Sequence, residues 1–498
     1  MAAKQKSFAE YYSVIELFAR SMHLKYDQKR QCAVKKSGVT KHPFMIIKSR
    51  AIQILIAFTT LISQLTAQST PQPMSLAACA QHAIQHSPLV RRSELEIKQG
   101  EQYIREVLSI GYPQVSIGGD FTYNVELPTS LIPGEFFGAP GEFVAVQFGT
   151  TLNTSMGLNL NQLVFDKTFF LGIEATRKIN DLNRLVATKT KEDVAYEVAK
   201  MYYQVQLASK QRQILEANLD QVNRLYDMVS RQQQNGLAKK IDVDQIGVNR
   251  INLETQLRNL NLQVEQIMRA LKFHMAMPLD APIALTDTID EKGYILPEVS
   301  VAKPDFSQQT TLAILDMQRV LNEYNVARYK AGYWPTLSVF GSYNFQGMGN
   351  DFSELGKGDN WFRFSMIGLR LNVPVFDGFR KKSQVEQANI ELLQIAEDRR
   401  RASDGLLLQY DNAAMQLNTN LNNLKVLAEN RRVAEEVYRV SLRRFSEGVA
   451  PVTELLTAET SMRQAQTNYL SSLLQLKLAE LELLNARGIL LPTLTAGK

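Results

Sequence analysis

Residues 156–166 read MGLNLNQLVFD, and residues 367–377 read IGLRLNVPVFD. Each stretch opens a long helical pattern of polar and apolar residues, and each pattern breaks at a glycine, Gly236 in the first case and Gly448 in the second. The two stretches and the two glycines are both offset by about 211–212 residues, so we predict an internal twofold repeat. A half that begins with a membrane-type strand and continues as a very long helix favours a tube over a catalytic pocket.

The charge distribution does not support binding to nucleic acid. The 498 residues carry a formal net charge of +6, and residues 1–44 alone hold nine Lys or Arg against three Asp or Glu. The remainder is close to neutral and has no basic stripe with interleaved aromatic residues. We therefore predict no nucleic-acid partner.

The N-terminal region predicts export. Residues 45–68 combine a short basic region, an apolar stretch too short to span a bilayer and a plausible processing site, which together indicate a signal peptide. Residues 1–44 precede it, and we interpret them as an N-terminal extension from a misplaced translation start, because a signal begins at a terminus. A genuine cytoplasmic pre-segment is the alternative. Export would not depend on disulfides, because the chain has only Cys32 and Cys79.

The sequence around Cys79 resembles a lipoprotein processing site, since it follows Leu76, Ala77 and Ala78. Lipidation requires an apolar core directly upstream, but residues 68–73 are polar. We therefore expect Cys79 to be a small buried helix residue.

Four segments alternate apolar and polar residues with a period of two, over about 113–126, 154–165, 336–346 and 362–376. One-face alternation over about ten residues is typical of outer-membrane β-strands. A half-buried strand of a soluble sandwich has the same pattern, so the strands alone leave both interpretations open.

The connections between these segments favour the membrane interpretation. Residues 127–152 and 347–360 are rich in Gly or Pro and predict long exposed loops between antiparallel pairs. Aromatic residues lie near the strand ends, as in a membrane girdle: Tyr112, Tyr333, Trp334 and Trp361. Four strands cannot close a barrel, and an open sheet edge cannot lie in lipid with unpaired backbone groups. If the strands span a membrane, several chains share one barrel, and three chains would supply twelve strands.

The helical tracts show heptad spacing. Apolar or small residues recur at steps of 4 and 3 in both halves; they are Val194, Val198, Met201, Val205, Ala208, Leu215, Leu219, Val222, Tyr226 and Val229, then Leu407, Tyr410, Ala414, Leu417, Leu421, Leu424 and Ala428. Residues 169–235 hold no Pro and only one Gly, so a helix there would extend about 100 Å. The pattern predicts long antiparallel coiled-coil hairpins.

Taken together, these motifs resemble the TolC-type outer-membrane efflux protein family, the outer membrane factors. Residues 75–89 are similar to the family's first helix, and the two Val-Phe-Asp endings, at 164–166 and 375–377, to its strand-to-helix junctions. The turns around Gly236 and Gly448 are similar to its hairpin tips. Each motif is weak alone, but the duplicated order of strand, loop, strand, long helix, glycine tip and return helix is specific.

The resemblance implies a mainly α fold with a membrane β part. Each chain would supply four transmembrane strands to a trimeric twelve-strand β-barrel that continues into an α-helical barrel through the periplasm. The domains would be a first repeat at 69–275, an irregular equatorial insert at 276–306, a second repeat at 307–490 and an irregular C-terminal tail at 491–498.

The resemblance also implies a function. The chain would be the outer-membrane channel of a tripartite efflux or secretion system, a passive conduit opened by a periplasmic adaptor and powered by an inner-membrane transporter. The chain itself would not be an enzyme. A periplasmic coiled-coil adaptor or scaffold is the alternative, and a passive porin is disfavoured by the long heptads. The cargo cannot be read from the sequence.

Several residues near the tips are candidates for function. The adaptor would contact the tips at Gly236, Leu237, Gly448 and Val449. The alternative is that the two glycines serve only as helix C-caps. Asp242, Asp244 and Glu454 would form rings at the tunnel mouth and act as a pore gate, although acids in a first helical turn also favour the macrodipole.

Two positions depart from the family pattern. Relatives typically carry a tyrosine and an arginine that help to lock the second tip, where this chain has Phe445 and Ala450. Phe445 lacks the hydroxyl and Ala450 lacks the charge, so a closing lock built from these positions is not expected.

We predict no metal site and no cofactor. His82 and His86 are spaced four apart on a predicted helix, which could bind a metal. No third ligand is evident, so we interpret them as unpaired surface histidines.

Overall fold

The computed structural model describes residues 72–138, 140–287 and 305–495. All of them belong to one compact unit, Pro71–Lys498. The predicted extension (1–44) and signal peptide (45–68) lie outside the described residues, as do residues 288–304 of the predicted insert.

The described part of the first half contains six strands and four helices. They are β1 (Gln72–Met74), α1 (Leu76–His86), α2 (Pro88–Ser109), β2 (Gln114–Tyr123), β3 (Thr129–Pro133), β4 (Phe143–Gln147), β5 (Leu152–Phe165), α3 (Lys167–Gln234), α4 (Lys240–His274) and β6 (Ile283–Leu285). A short 3-10 turn, Gly134–Phe137, lies between β3 and β4.

The second half repeats the core of this order. Its elements are α5 (Thr310–Ala331), β7 (Thr336–Gly349), α6 (Phe352–Leu355), β8 (Trp361–Asn372), α7 (Arg380–Ser446), α8 (Val452–Ala486) and α9 (Leu490–Thr495). A 3-10 turn, Gly358–Asn360, precedes β8.

The helix lengths match between the halves. Helices α2 and α5 both have 22 residues, α3 and α7 have 68 and 67, and α4 and α8 both have 35. At 1.5 Å per residue, α3 and α7 are each about 100 Å long. Helix α3 packs against α2 and α4, and α7 packs against α5 and α8. The long uninterrupted helix predicted over 169–235 is confirmed.

Side-chain caps explain where several helices begin. The Ser75 hydroxyl accepts a bond from the Ala78 N–H at 3.2 Å, and the Asp166 carboxylate accepts one from the Thr168 N–H at 2.7 Å. Ser87 caps α2, which starts at Pro88. Residues 75–89, which resemble the family's first helix, therefore include all of α1 and the start of α2, because Ser87 leaves the helical conformation and Pro88 starts a new helix.

Four strands form one antiparallel sheet in the order β2-β5-β7-β8. The central pair, β5 and β7, joins the two repeats, with Leu158 opposite Tyr343. Strands β2 and β8 are the edges. The predicted four-stranded, two-repeat arrangement is therefore present within one chain.

The strand limits differ from those predicted. Strand β2 ends at Tyr123 because its partner β5 begins opposite it at Leu152. The strand predicted over 362–376 ends at Asn372, which pairs with Thr336 at the start of β7. Residues 373–376 have no partner there, because the chain before Thr336 is Pro335, which has no N–H to donate.

The edge strands expose their apolar side chains. In β2, Val115 and Ile117 are 60% and 69% exposed, and in β8, Ile367 and Leu369 are 81% and 71% exposed. These side chains lie on the apolar faces that the alternation predicted. None of the described residues covers them.

The loop predicted over 127–152 contains regular structure. Strands β3 and β4 pair antiparallel, with Leu131 opposite Ala145, so the predicted long exposed connection includes a short hairpin that the sequence analysis did not predict. Two five-residue strands bounded by Pro and Gly pair with each other, and Gly138 and Gly141 adopt positive φ values of 78° and 90° in the turn.

The core is distributed along the helices in four clusters. Much of the predicted seam is buried, including Val198, Val205 and Val229. Leu407 is wrong as a seam residue, because it is 37% exposed. It lies beyond the reach of α8, whose last residue, Ala486, packs in the same cluster as Tyr410.

The middle of the molecule is joined by short elements. Strand β1 pairs in parallel with β6. The C-terminal segment is helical rather than irregular through Thr495, because Leu490 and Leu494 are buried as α9 packs on α1 and α3. None of the described helices carries an apolar stretch of the length that a bilayer-crossing helix requires.

Candidate functional site: the two hairpin tips

The first tip is a helix C-cap closed by one glycine. Gly236 has φ 75°, and its N–H donates to the Gln233 carbonyl at 3.0 Å. The next N–H, of Leu237, reaches back to the Gln232 carbonyl at 2.8 Å. This paired arrangement satisfies the last carbonyls of α3 and requires a left-handed residue at its centre.

The second tip repeats this geometry. Gly448 has φ 73° and donates to the Phe445 carbonyl at 3.0 Å, while the Val449 N–H donates to the Arg444 carbonyl at 2.9 Å. A Cβ added at Gly236 or Gly448 would meet no atom within 4 Å. Both glycines are therefore required by backbone conformation and not by lack of space.

Both tips present apolar side chains to solvent. Leu237 is 79% exposed, Val449 is 67% exposed, and Ile241 in the first turn of α4 is 57% exposed. A groove of about 700 Å³ runs between α4 and α8 beside them and includes Ile241, Asp244 and Leu456 in its lining.

The three predicted acids have different surroundings. Asp242 and Asp244 lie in the first turns of α4, and Asp244 faces the groove. Glu454 is paired within the second tip, with its carboxylate 2.6 Å from the Arg444 guanidinium. The tip acids are therefore not equivalent, because Glu454 already has a cationic partner.

The two positions that depart from the family pattern point inward. Ala450 is buried, and Phe445 packs against the apolar cluster that includes Leu455. Both side chains contribute to the apolar packing of the tip, and neither offers a polar lock.

A polar cluster above the tips was missed by the sequence analysis. Glu459 on α8 is only 2% exposed; one of its carboxylate oxygens accepts a bond from the Asn249 amide on α4 at 3.1 Å. Its other oxygen lies 2.6 Å from the Arg463 guanidinium, which also donates to Gln256 on α4 at 3.3 Å. Burial raises the pKa of Glu459, and Arg463 and Asn249 oppose that shift. The sequence signal for this cluster is an acid and a base four residues apart beside an apolar seam. The same spacing is common on exposed helix faces, so it does not reveal a buried pair.

The cysteine and histidine predictions have different outcomes. Cys79 is fully buried in α1, as expected, and burial raises its pKa to about 12. The histidines are not unpaired: the rings of His82 and His86 stack with centroids 4.2 Å apart, and His82 Nδ1 lies 3.1 Å from the Met275 carbonyl. Burial, and then the neighbouring His86, lowers the pKa of His82. Among the described residues, no group of three or more His, Cys, Asp or Glu side chains is arranged to hold a metal ion.

The chain is similar in sequence to outer membrane efflux proteins. A family model described as outer membrane efflux protein matches residues 79–276 and 310–488. The outer membrane protein TolC of Escherichia coli K12 is 22% identical over 450 residues, which cover 85% of each chain. TolC of Vibrio cholerae is 21% identical over 340 residues, 65% of this chain and 76% of that protein.

Solved structures share the fold. The CmeC outer membrane channel of Campylobacter jejuni has a TM-score of 0.66 at 15% identity, over 83% of this chain and 86% of that one. The open state of the MtrE outer membrane channel of Neisseria gonorrhoeae has a TM-score of 0.65 at 14% identity, over 84% and 89%.

A small antiparallel sheet with exposed apolar edge strands, continued by helices of about 100 Å, is the fold that this chain shares with these solved outer membrane channels. The chain belongs to the outer membrane efflux protein family. This membership confirms the predicted efflux function and the predicted location in the outer membrane with extension into the periplasm.

Proposed function

We propose that three copies of this chain assemble into one conduit from the periplasm to the cell exterior. The open sheet edges carry this proposal. Strands β2 and β8 have no partner on their outer sides within the sheet, while their apolar side chains are exposed. Unpaired backbone groups are not tolerated in lipid, so β2 of one copy would pair with β8 of the next. Three copies would close a twelve-strand barrel.

The long helices would continue this barrel into the periplasm. Helices α3 and α7 start directly after β5 and shortly after β8, so each pair of strands leads into a helical hairpin. Six hairpins from three copies would form the wall of an α-helical barrel, and the tips would lie at its periplasmic end.

The tips would dock a periplasmic adaptor. Leu237 and Val449 are exposed beside the glycine turns, and the groove between α4 and α8 is large enough to accept side chains of a partner helix. An adaptor that contacts both tips could change the spacing between the two hairpins and thereby open the conduit.

The acids at the tips would gate the pore and favour cations. Repeated by threefold symmetry, Asp242, Asp244 and Glu454 would place carboxylates around the tunnel mouth. The pairing of Glu454 with Arg444 lowers its share of this negative potential, so the two aspartates would contribute more.

An inner-membrane transporter would supply the energy, and this chain would catalyse no reaction. Its family membership is that of an efflux channel. Its cargo class, whether drug, metal ion or protein, would follow from the transporter with which it works.

The assembly is tested by fractionation and electrophoresis. We expect the protein in the outer-membrane fraction, extracted only by detergent, as a trimer that dissociates on heating. Release by osmotic shock as a monomer without detergent would overturn the proposal and favour a soluble adaptor or scaffold.

The gate and the docking site are tested separately on the assembled trimer. Asp242→Asn with Asp244→Asn should reduce cation selectivity in planar bilayers more than Glu454→Gln does. Leu237→Ala with Val449→Ala should weaken cross-linking to the adaptor. Val426→Ala, which removes an exposed valine from α7 about twenty residues from the tip, is the control.

A further inference from the structure

The segment between β8 and α7 exposes apolar and basic side chains side by side. Val375, Phe376 and Phe379 are 92%, 75% and 66% exposed. The rings of Phe376 and Phe379 pack edge to face with centroids 5.5 Å apart. Three basic residues, 380–382, follow directly.

The backbone keeps this aromatic pair at the surface. Gly378 and Phe379 both have φ 64°, and Phe379 is one of two non-glycine residues with positive φ in the described part of the chain. A bulky residue rarely adopts this conformation, and such strain is often found at functional positions. The two consecutive left-handed residues reverse the chain, so Phe379 returns to Phe376.

Two of the three cations, Arg380 and Lys382, are not held in an ion pair, although the charge of Arg380 also acts on the neighbouring Asp377 carboxylate. Lys381 is bound to the Asp377 carboxylate at 3.1 Å and lies over the Tyr333 ring at 5.5 Å. Arg380 and Lys382 are exposed, and neither forms a salt bridge within the described residues. Cations at the start of a helix oppose its macrodipole, so the stability of α7 does not account for them.

The corresponding junction of the first repeat is different. It has one cation, Lys167, whose ammonium lies 4.0 Å from the centroid of the Trp334 ring. Asp166 caps the helix there. The two additional exposed cations at the second junction are therefore not a consequence of the internal repeat.

The position of this segment defines its surroundings in a membrane. The exposed apolar face of β8 passes through Ile367, Leu369 and Leu371, and the chain then continues to Val375. If that face lies in hydrocarbon, the aromatic pair lies at the interface, and Arg380 and Lys382 lie at the headgroups of the leaflet that faces the periplasm.

We propose that Phe376, Phe379, Arg380 and Lys382 bind the headgroup of an anionic phospholipid in the periplasmic leaflet. The two cations bind the phosphate and offset its charge, and the two rings pack against the glycerol region. This site, the junction patch, occurs once per chain. It rests on the proposed insertion of the sheet into the outer membrane.

The experiment uses the full-length protein in nanodiscs of phosphatidylethanolamine with a minor fraction of phosphatidylglycerol. Lipids that remain bound after release are counted by native mass spectrometry. We expect the wild type to be enriched in phosphatidylglycerol. Arg380→Gln with Lys382→Gln should reduce this enrichment by about fivefold per cation.

Three controls make the result specific. Arg224→Gln with Arg258→Gln removes the same charge from exposed positions on α3 and α4, and Lys167→Gln removes the cation of the first junction; both should keep the enrichment. Arg380→Lys with Lys382→Arg should also keep it, because the charge is preserved. Added inorganic phosphate should not displace the lipid.

Equal enrichment in the wild type and in Arg380→Gln with Lys382→Gln would overturn the junction patch, as would an equal loss in the α3 and α4 control. If the double variant fails to form trimers, the wild type is measured at rising ionic strength; enrichment that persists in high salt would then overturn the proposal. A chain that never enters nanodiscs would refute the membrane assembly instead, so the two failures are distinguishable.

Discussion

A single glycine at each tip decides whether the helix can turn back. Replacing Gly448 by alanine should destabilise the second tip by about 1 kcal/mol, because its φ of 73° places a Cβ in the disfavoured left-handed region while no neighbour lies within 4 Å. We expect the Val449 amide, bonded to Arg444 at 2.9 Å, to exchange hydrogen about fivefold faster.

Gly405→Ala is the matched control for this prediction. Gly405 lies within α7, has no positive φ and also has open space around its Cβ position. Alanine there should stabilise the helix by about 0.5–1 kcal/mol. Equal effects of both substitutions on exchange at Val449 would contradict the assignment of Gly448 as a conformational requirement.

Tyr202 joins the N-terminal segment to the middle of the molecule. Its hydroxyl donates to the Asp287 carboxylate at 2.9 Å and lies 3.3 Å from the Met74 carbonyl, and the ring is fully buried. Tyr202→Phe should cost about 1 kcal/mol, because the carbonyl of the buried Met74 and the Asp287 carboxylate lose a donor. Faster hydrogen exchange at Leu76, whose N–H also binds Asp287 at 2.8 Å, would report the loosening.

Tyr203→Phe is the control, because the hydroxyl of this neighbouring tyrosine makes no hydrogen bond in the described part of the chain. If both substitutions loosen Leu76 to the same extent, the contact between Tyr202 and Asp287 is not what fastens the segment.

At the scale of elements, Glu459 couples α4 to α8 through a buried charge. Burial raises its pKa above the ordinary glutamate value of 4.5. The folded state therefore binds the proton on Glu459 more tightly than the unfolded state does. The contribution of this proton to folding stability is complete below pH 4.5 and is lost as pH rises through the folded pKa. Glu459→Gln should remove this dependence.

The measurement is the unfolding temperature of the assembled protein from about pH 4.5 upward. Wild type should lose stability relative to Glu459→Gln as pH rises through this range. Glu386→Gln, an exposed glutamate on α7, controls for the loss of one carboxylate. A constant difference between wild type and Glu459→Gln at all pH values would refute the role of burial.

At the scale of the whole molecule, the proposed assembly depends on the unpaired outer edge of β8. A proline scan over residues 367–370 should prevent formation of the proposed trimer, because proline removes a backbone donor. Along β8 the backbone N–H groups point alternately toward β7 and toward the free edge. Proline at the positions that point toward the free edge should therefore leave the single chain folded while preventing assembly.

Ser130→Pro in β3 is the control, because the β3–β4 hairpin lies outside the four-stranded sheet. Trimers that persist with proline at every position from 367 to 370 would show that β8 does not pair with a neighbouring copy.

Patterns that depend on near neighbours were predicted well. The period-two segments and the uninterrupted helix of residues 169–235 correspond to strands and to α3, and Gly236 and Gly448 adopt the positive φ that the turns require. Limits set by a partner were predicted poorly. Strand β8 ends at Asn372, opposite the start of β7 at Thr336, although Pro374 in its own sequence is a signal against a strand that continues to residue 376.

The candidate site shows the same division. The exposure of Leu237 and Val449 follows from their place beside a glycine turn, so local reasoning found them. The pairing of Glu454 with Arg444, ten residues apart across the turn, and the burial of Glu459 could not be found in this way. The ion pair and the burial depend on which helices pack against each other in the folded chain.

By itself, the sequence determined the repeat, the type of each long element and the positions of both tips, because these properties arise from periodicity and backbone preference within a few residues. Only the tertiary structure decided that β5 pairs with β7, that Asn249 meets Glu459 and that Leu407 remains exposed. Such contacts join residues that can lie about 200 positions apart. Their energies depend on how the two halves pack, and no local pattern encodes that packing.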